Sequence, residues 1–192
     1  MKNQLFILIL LFGCVACYEN QSQKGNKSLD AVIENNSNVK ENLKHATSKA
    51  NDAKAIATWF PEKWMMYQLD TRTIELGKGA ESPAKATYTH PQDSKMNVTL
   101  EVWDGNGPAT LAVKNMIALS LGEKGEESTS QMRQKVYERK GRTSAEREIY
   151  QNKQVNISFE VEERFFTTLR SDNNSLETLW QMADLLDFST LK

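Results

Sequence analysis

Ala84-Lys85-Ala86-Thr87-Tyr88-Thr89 and Met96-Asn97-Val98-Thr99-Leu100-Glu101-Val102 alternate apolar and polar residues without interruption, on either side of a turn over Pro91 to Lys95. Period-two alternation sends every second side chain to the same face, so the two runs read as a hairpin of an antiparallel sheet with one buried side. Gln154 to Glu162 repeats the pattern, with Val155, Ile157, Phe159 and Val161 facing one way and Gln154, Asn156, Ser158 and Glu160 the other. Working outward, Gln68 to Leu76 reads as a strand ending at Gly77-Lys78-Gly79. That Gly-x-Gly lacks the third glycine of a dinucleotide loop and opens no helix, so it reads as a turn. Arg133 to Lys140, Arg142 to Tyr150 and Arg164 to Arg170 complete a set of six to seven strands, with 122–130 as a polar loop.

Two helices punctuate the strands. Asp104-Gly105-Asn106-Gly107-Pro108 has the first ligands of a calcium loop, but the carboxylate required eleven positions on is replaced by Asn115. Gly107 as a cap and Pro108 at the first helical position account for it instead. The helix that follows, Ala109 to Leu121, is apolar around most of its girth and is expected to be well buried. Asn174 and Glu177 have the spacing of a capping box, ahead of a helix with Leu176, Leu179, Trp180, Ala183 and Leu186 on one face. The expected fold class is α+β: an antiparallel sheet of six to seven strands with two helices on one face, preceded by an N-terminal helix or tether.

The N-terminus reads as an export signal. Lys2 precedes an unbroken apolar run from Leu5 to Phe12, and polar sequence begins at Glu19. Such a run suits a signal peptide and is too short to span a bilayer. Cys14-Val15-Ala16-Cys17 resembles a lipobox, with Cys17 as the lipidated residue and Cys14 as the alternative. The resemblance implies a stable lipid anchor, because several acyl chains hold where one does not. The expected location is the cell envelope, at the outer membrane by preference, with the domain facing periplasm or exterior. The chain thus divides into 1–17 signal and lipidation site, 18–57 polar tether, and 58–192 a single α+β domain. Asn38 with Glu41 caps a helix over about 39–57, whose seam is Val39, Leu43, Ala46, Ala50, Ala53 and Ala57. It is a helix laid against its own domain or a spacer rather than a coiled-coil stalk, since alanine buries little surface.

Charge and chemistry narrow the function. With 24 Lys+Arg against 25 Asp+Glu, the net charge of −1 argues against a nucleic-acid partner. Both cysteines lie in the signal region, and the two histidines, His45 and His90, fall in the tether and at the hairpin turn. No metal site, cofactor or catalytic constellation is expected. The carboxylate pairs Glu160/Glu162 and Asp184/Asp187 read as solvated surface. The stretch Arg133, Lys135, Arg139, Lys140, Arg142 and Arg147, interleaved with Glu138, Glu146 and Glu148, reads as charged strand faces, with a patch that touches anionic lipid or polysaccharide as the lesser alternative. Trp59, Trp64 and Trp103 are the candidate ligand or partner contacts, Trp103 because it falls on the non-core face of its hairpin.

Phe60-Pro61-Glu62, the hairpin Ala84 to Gly107, Tyr137 to Arg142 and Arg164 to Leu191 resemble a family of uncharacterised exported bacterial lipoproteins. The resemblance covers residues 59–192 and implies a fold similar to the Mog1/PsbP-like fold. It transfers no catalytic residue. The function expected is a non-enzymatic binding or scaffold module of the envelope, with an envelope protein or an apolar ligand as partner. The alternatives are a carrier of an apolar ligand or lipid, and an enzyme with a carboxylate-based site.

Overall fold

A computed structural model of the protein describes residues 43–51, 53–74 and 83–191. Cys14, Cys17, the tether up to residue 42 and the Gly77-Lys78-Gly79 turn lie outside the described residues. The elements are α1 (Ala53–Trp59), β1 (Lys63–Trp64), β2 (Tyr67–Ile74), β3 (Ala84–His90), β4 (Asp93–Asp104), α2 (Thr110–Leu121), β5 (Gly125–Ser128), β6 (Met132–Arg139), β7 (Arg142–Ile149), β8 (Gln154–Val161), β9 (Phe165–Asp172) and α3 (Leu176–Ala183). Short 3-10 turns at Gly107–Ala109 and Phe188–Leu191 lead into α2 and close the chain. The fold is α+β. Its strands form one antiparallel sheet in the order β1-β2-β3-β4-β9-β8-β7-β6-β5. That is nine strands, where alternation had indicated six to seven. The two additions are β1, of two residues, and β5, whose Gly125-Glu126-Glu127-Ser128 is exposed at every position and so has no apolar period to read.

Register decides what each face carries. Leu100 stands opposite Leu169, and Leu169 opposite Ile157, so the apolar halves of β4, β9 and β8 form one surface. Ala86, Tyr88, Val98, Leu100, Val155, Ile157, Phe159, Phe165 and Leu169 are buried there. Ile56 and Ala57 of α1, Leu179, Trp180 and Met182 of α3, and Phe188 and Leu191 cover them. The other face receives α2, through Val113 and Leu121 against Val136, Ala145 and Phe166. Hence the two long helices lie on opposite faces of the sheet, not on one. The neighbours Phe165 and Phe166 make the point, since successive strand residues face opposite ways and each phenylalanine belongs to a different core.

The expectation of a well-buried α2 also fails. Only Thr110, Val113 and Leu121 are buried, while Leu111 is 69% and Leu119 86% exposed. Val136, Ala145 and Phe166 offer a small apolar area between polar neighbours, and one row of the helix suffices to cover it.

The helix expected over 39–57 is interrupted in its described part. Residues 43–47 are helical, residues 48–51 are not, and α1 begins at Ala53. The break is imposed by docking. The Asn51 amide donates to Asp104 Oδ2 at 2.7 Å and its side chain to the Leu191 carbonyl at 2.6 Å. Asn106 donates to the Lys49 carbonyl, and His45 Nδ1 lies 2.8 Å from Asn106 Oδ1. With Ala53, Ile56 and Ala57 buried, α1 belongs to the domain and not to a tether. The capping box of α3 is displaced by one residue. Ser175 is the cap, accepting from the Thr178 amide, and Asn174 instead accepts the Tyr67 hydroxyl.

Candidate functional site

The face that carries α2 is only partly covered, and the remainder is a polar groove of about 420 Å³. The polar halves of the alternating strands build its floor. One row across the sheet runs Thr87, Thr99, Arg170, Asn156, Arg147, Gln134, each the register partner of the next. The adjacent row runs Lys85, Glu101, Thr168, Ser158, Ala145. Asn97 and Asp172 begin a third.

Some of these groups satisfy one another. Lys85 pairs with Glu101 at 3.1 Å, Arg147 Nε and Nη2 donate to Gln134 Oε1 at 2.9 and 2.6 Å, and Gln154 donates to Asp172 at 2.9 Å. Thr99, Thr168, Ser158, Asn156 and Arg170 make no side-chain hydrogen bond among the described residues, although all five line the groove. Glu146 borders it too, but its carboxylate is engaged elsewhere by the Tyr137 hydroxyl and Trp180 Nε1, both at 2.6 Å. Burial, then the Glu146 carboxylate, pushes the Tyr137 phenol up to about 12. Chemically, the groove is a set of hydroxyl, amide and guanidinium groups open to a polar ligand.

The three tryptophans are not brought together. Trp64 is 3% exposed, donates to the Met182 carbonyl at 3.0 Å and meets Tyr88 edge-on. Trp59 is half-buried, packed on Phe188 with its ring nitrogen donating to the Asp187 carbonyl. Trp103 lies across the sheet from both, against α2, and donates to Glu101 at the groove's edge. His45 and His90 are engaged locally, His45 with Asn106 and His90 by accepting from the Gln92 amide. Among the described residues no group of three or more His, Cys, Asp or Glu could hold a metal. No helix among them is long and apolar enough to cross a membrane.

The carboxylates separate by environment. Glu160 is raised by burial, against the opposing pull of Lys114 at 3.8 Å. Asp184 accepts both arms of Arg139, at 2.8 and 2.9 Å, and Lys140 at 2.9 Å, and these bonds hold it down at about 2. The Arg139 and Arg142 guanidinium groups lie over the Trp180 and Phe159 rings at 4.3 and 4.2 Å. This cluster clamps the β6–β7 turn to α3. It is a structural junction.

Sequence reasoning placed Arg147 in a charged stretch and Asn156 on the polar face of its strand, and named neither of them nor Arg170 as a site residue. The signal was present in the polar halves of the same alternations that revealed the strands. No family model matches the chain, and no curated protein matches it. Fold and groove therefore define the class on their own: an α+β domain with one nine-stranded antiparallel sheet and a polar concavity on its half-open face.

Proposed function

We propose that the protein is a membrane-anchored binding module of the cell envelope whose ligand lies in the polar groove. The anchor is lipid on Cys17, or alternatively Cys14, and the domain is one of the Mog1/PsbP-like kind. The observation that carries the binding reading is the set Thr99, Thr168, Ser158, Asn156 and Arg170: five hydrogen-bonding side chains on central strands, facing one concavity, without a partner among the described residues. Small-molecule sites are concave and place a few convergent polar groups.

Native mass spectrometry of the full chain, purified from its own membrane, tests this. The wild type is expected to carry a mass of fixed size that Asn156→Trp, which fills the groove, does not retain. A bare wild type, or an adduct retained by the variant, would sink the proposal. A second reading, contact with an apolar ligand or lipid, rests on the exposed Leu111 and Leu119 of α2. It requires that Leu111→Lys/Leu119→Lys lose lipid that the wild type binds; equal binding by both removes it.

A further inference from the structure

Five of the protein's seven arginines pair with a carboxylate among the described residues: Arg72 with Glu62, Arg133 with Glu126 and Glu148, Arg139 and Arg142 with Asp184, and Arg164 with Asp104. The two that do not are Arg147 and Arg170. Both stand in the groove, on the same row of the sheet, as the register partners of Asn156 on either side. Like charges in such proximity repel, and elsewhere the fold offsets the cost with a carboxylate within reach of each arginine, as Asp184 does for the facing pair Arg139 and Arg142. Within the groove this row holds no acid; Glu127 continues it on β5 beyond Gln134 but does not line the groove. Its other members there are Thr99, Asn156 and Gln134.

We infer that the groove's ligand is anionic, a carboxylated or phosphorylated polyol whose charge sits over Asn156 between Arg147 and Arg170. The inference rests on the groove being the ligand site. Strands are ~4.8 Å apart, so the two arginine backbones stand ~10 Å from each other, and two guanidinium arms reach a common anion from that separation. Gln134 fixes Arg147 through Nε and Nη2, which aims the group and leaves Nη1 for a ligand. The Arg170 side chain makes no hydrogen bond among the described residues, so its whole fork is available. A guanidinium fork matches the paired oxygens of a carboxylate or phosphate where a point charge does not.

The other charged groups of the groove do not cancel this pair. Lys85 and Glu101 neutralise each other at 3.1 Å, and Asp172 is held by Gln154 at 2.9 Å. The two arginines thus share the groove with two further carboxylates, Asp172 and Glu146, and both are already engaged, Glu146 by the Tyr137 hydroxyl and Trp180 Nε1. Around them Thr99, Thr168, Ser158 and Asn156 offer hydroxyl and amide groups without an aromatic platform among the lining residues. That composition suits a ligand body bearing hydroxyl groups, bound by hydrogen bonds and not by stacking.

The test is a titration of the isotopically labelled full chain in detergent, followed by backbone amide shifts. The probes are trigalacturonate as a carboxylated glycan, inorganic phosphate, and maltotriose as the neutral control. Saturable shifts at Arg147, Asn156 and Arg170 are expected with an anionic probe, with maltotriose at least about tenfold weaker. Arg147→Gln and Arg170→Gln should each weaken the anion by about tenfold as well, the size of one lost charge-assisted bond. Whichever anion saturates distinguishes a carboxylated glycan from a phosphate. An equal response to maltotriose, unmoved by either substitution, overturns the anionic assignment and leaves the groove as the ligand site. Shifts that fall elsewhere, or none with all three probes, overturn both.

Discussion

The Asp104 carboxylate accepts four hydrogen bonds: Arg164 Nε and Nη2 at 2.8 and 2.6 Å, the Asn51 amide at 2.7 Å and the Asn106 amide at 3.0 Å. It is 5% exposed. Gly105 next to it cannot carry a side chain, because a Cβ would stand 2.5 Å from the Arg164 carbonyl that its own amide bonds. The loop is therefore a latch that ties residues 48–51 to the start of β9. Removing one partner of a buried ion pair strands the other, so Asp104→Ala should cost about 3–5 kcal/mol in urea unfolding. A loss below ~1 kcal/mol would mean that the latch is solvated. Asp184 makes the complementary prediction for pH. Its carboxyl is lowered from 3.8 to about 2, first by its bonds to Arg139. A depressed folded value means stability that is present above the unfolded value and lost as pH falls through the folded one. The acid limb of a stability–pH profile should thus flatten between about pH 4 and pH 2 in Asp184→Asn. An unchanged acid limb would refute the assignment.

At the scale of elements, α2 shows where reading a sequence and solving a packing problem part company. Thr110 to Leu121 carries one charge in twelve residues, Lys114, so its average hydrophobicity pointed to burial. What a helix buries is fixed by the surface offered to it, and here that is Val136, Ala145 and Phe166. Val113→Ala, at a fully buried position, should cost about 2 kcal/mol, and Leu119→Lys should stay within about 0.5 kcal/mol of the wild type in the same denaturation assay. A larger cost at Leu119 than at Val113 would place the wrong side of the helix against the sheet. Strands with an apolar half were legible because alternation is itself the consequence of one buried face. β5 was not, for all four of its residues are exposed and only the pairing with β6, Glu126 opposite Lys135 and Ser128 opposite Arg133, makes it a strand. The cap of α3 missed by one residue for a related reason: Asn174 is taken by the Tyr67 hydroxyl at 2.6 Å, and the role passes to Ser175.

At the scale of the molecule, β1–β4 and β5–β9 are two meanders, and the β4–β9 seam makes them one sheet. Nothing local encodes that seam. Thr99 and Arg170 each read as the polar member of an alternating pair, and only the register of β4 on β9 sets them side by side to start the groove floor. The candidate site was thus legible residue by residue and illegible as a site. The seam also predicts how the protein opens. In β9, flanked by β4 and β8, every ladder amide faces a partner strand, whereas the edge strand β5 has a neighbour on one side only. Leu100 and Leu169 face each other at the seam under α1 and α3, and both are fully buried. If the halves open together, amide exchange should be slowest in β4 and β9 and fall off outward to β1 and β5. The slowest amides on both sides of the seam should then share the free energy of global unfolding. Leu169→Ala, expected to cost about 2–5 kcal/mol, should lower protection in β3 and in β8 by the same amount. A drop confined to β6–β9 would mean that the meanders are separate folding units that merely touch, and the groove, whose floor spans the seam, would then have a hinge running through it.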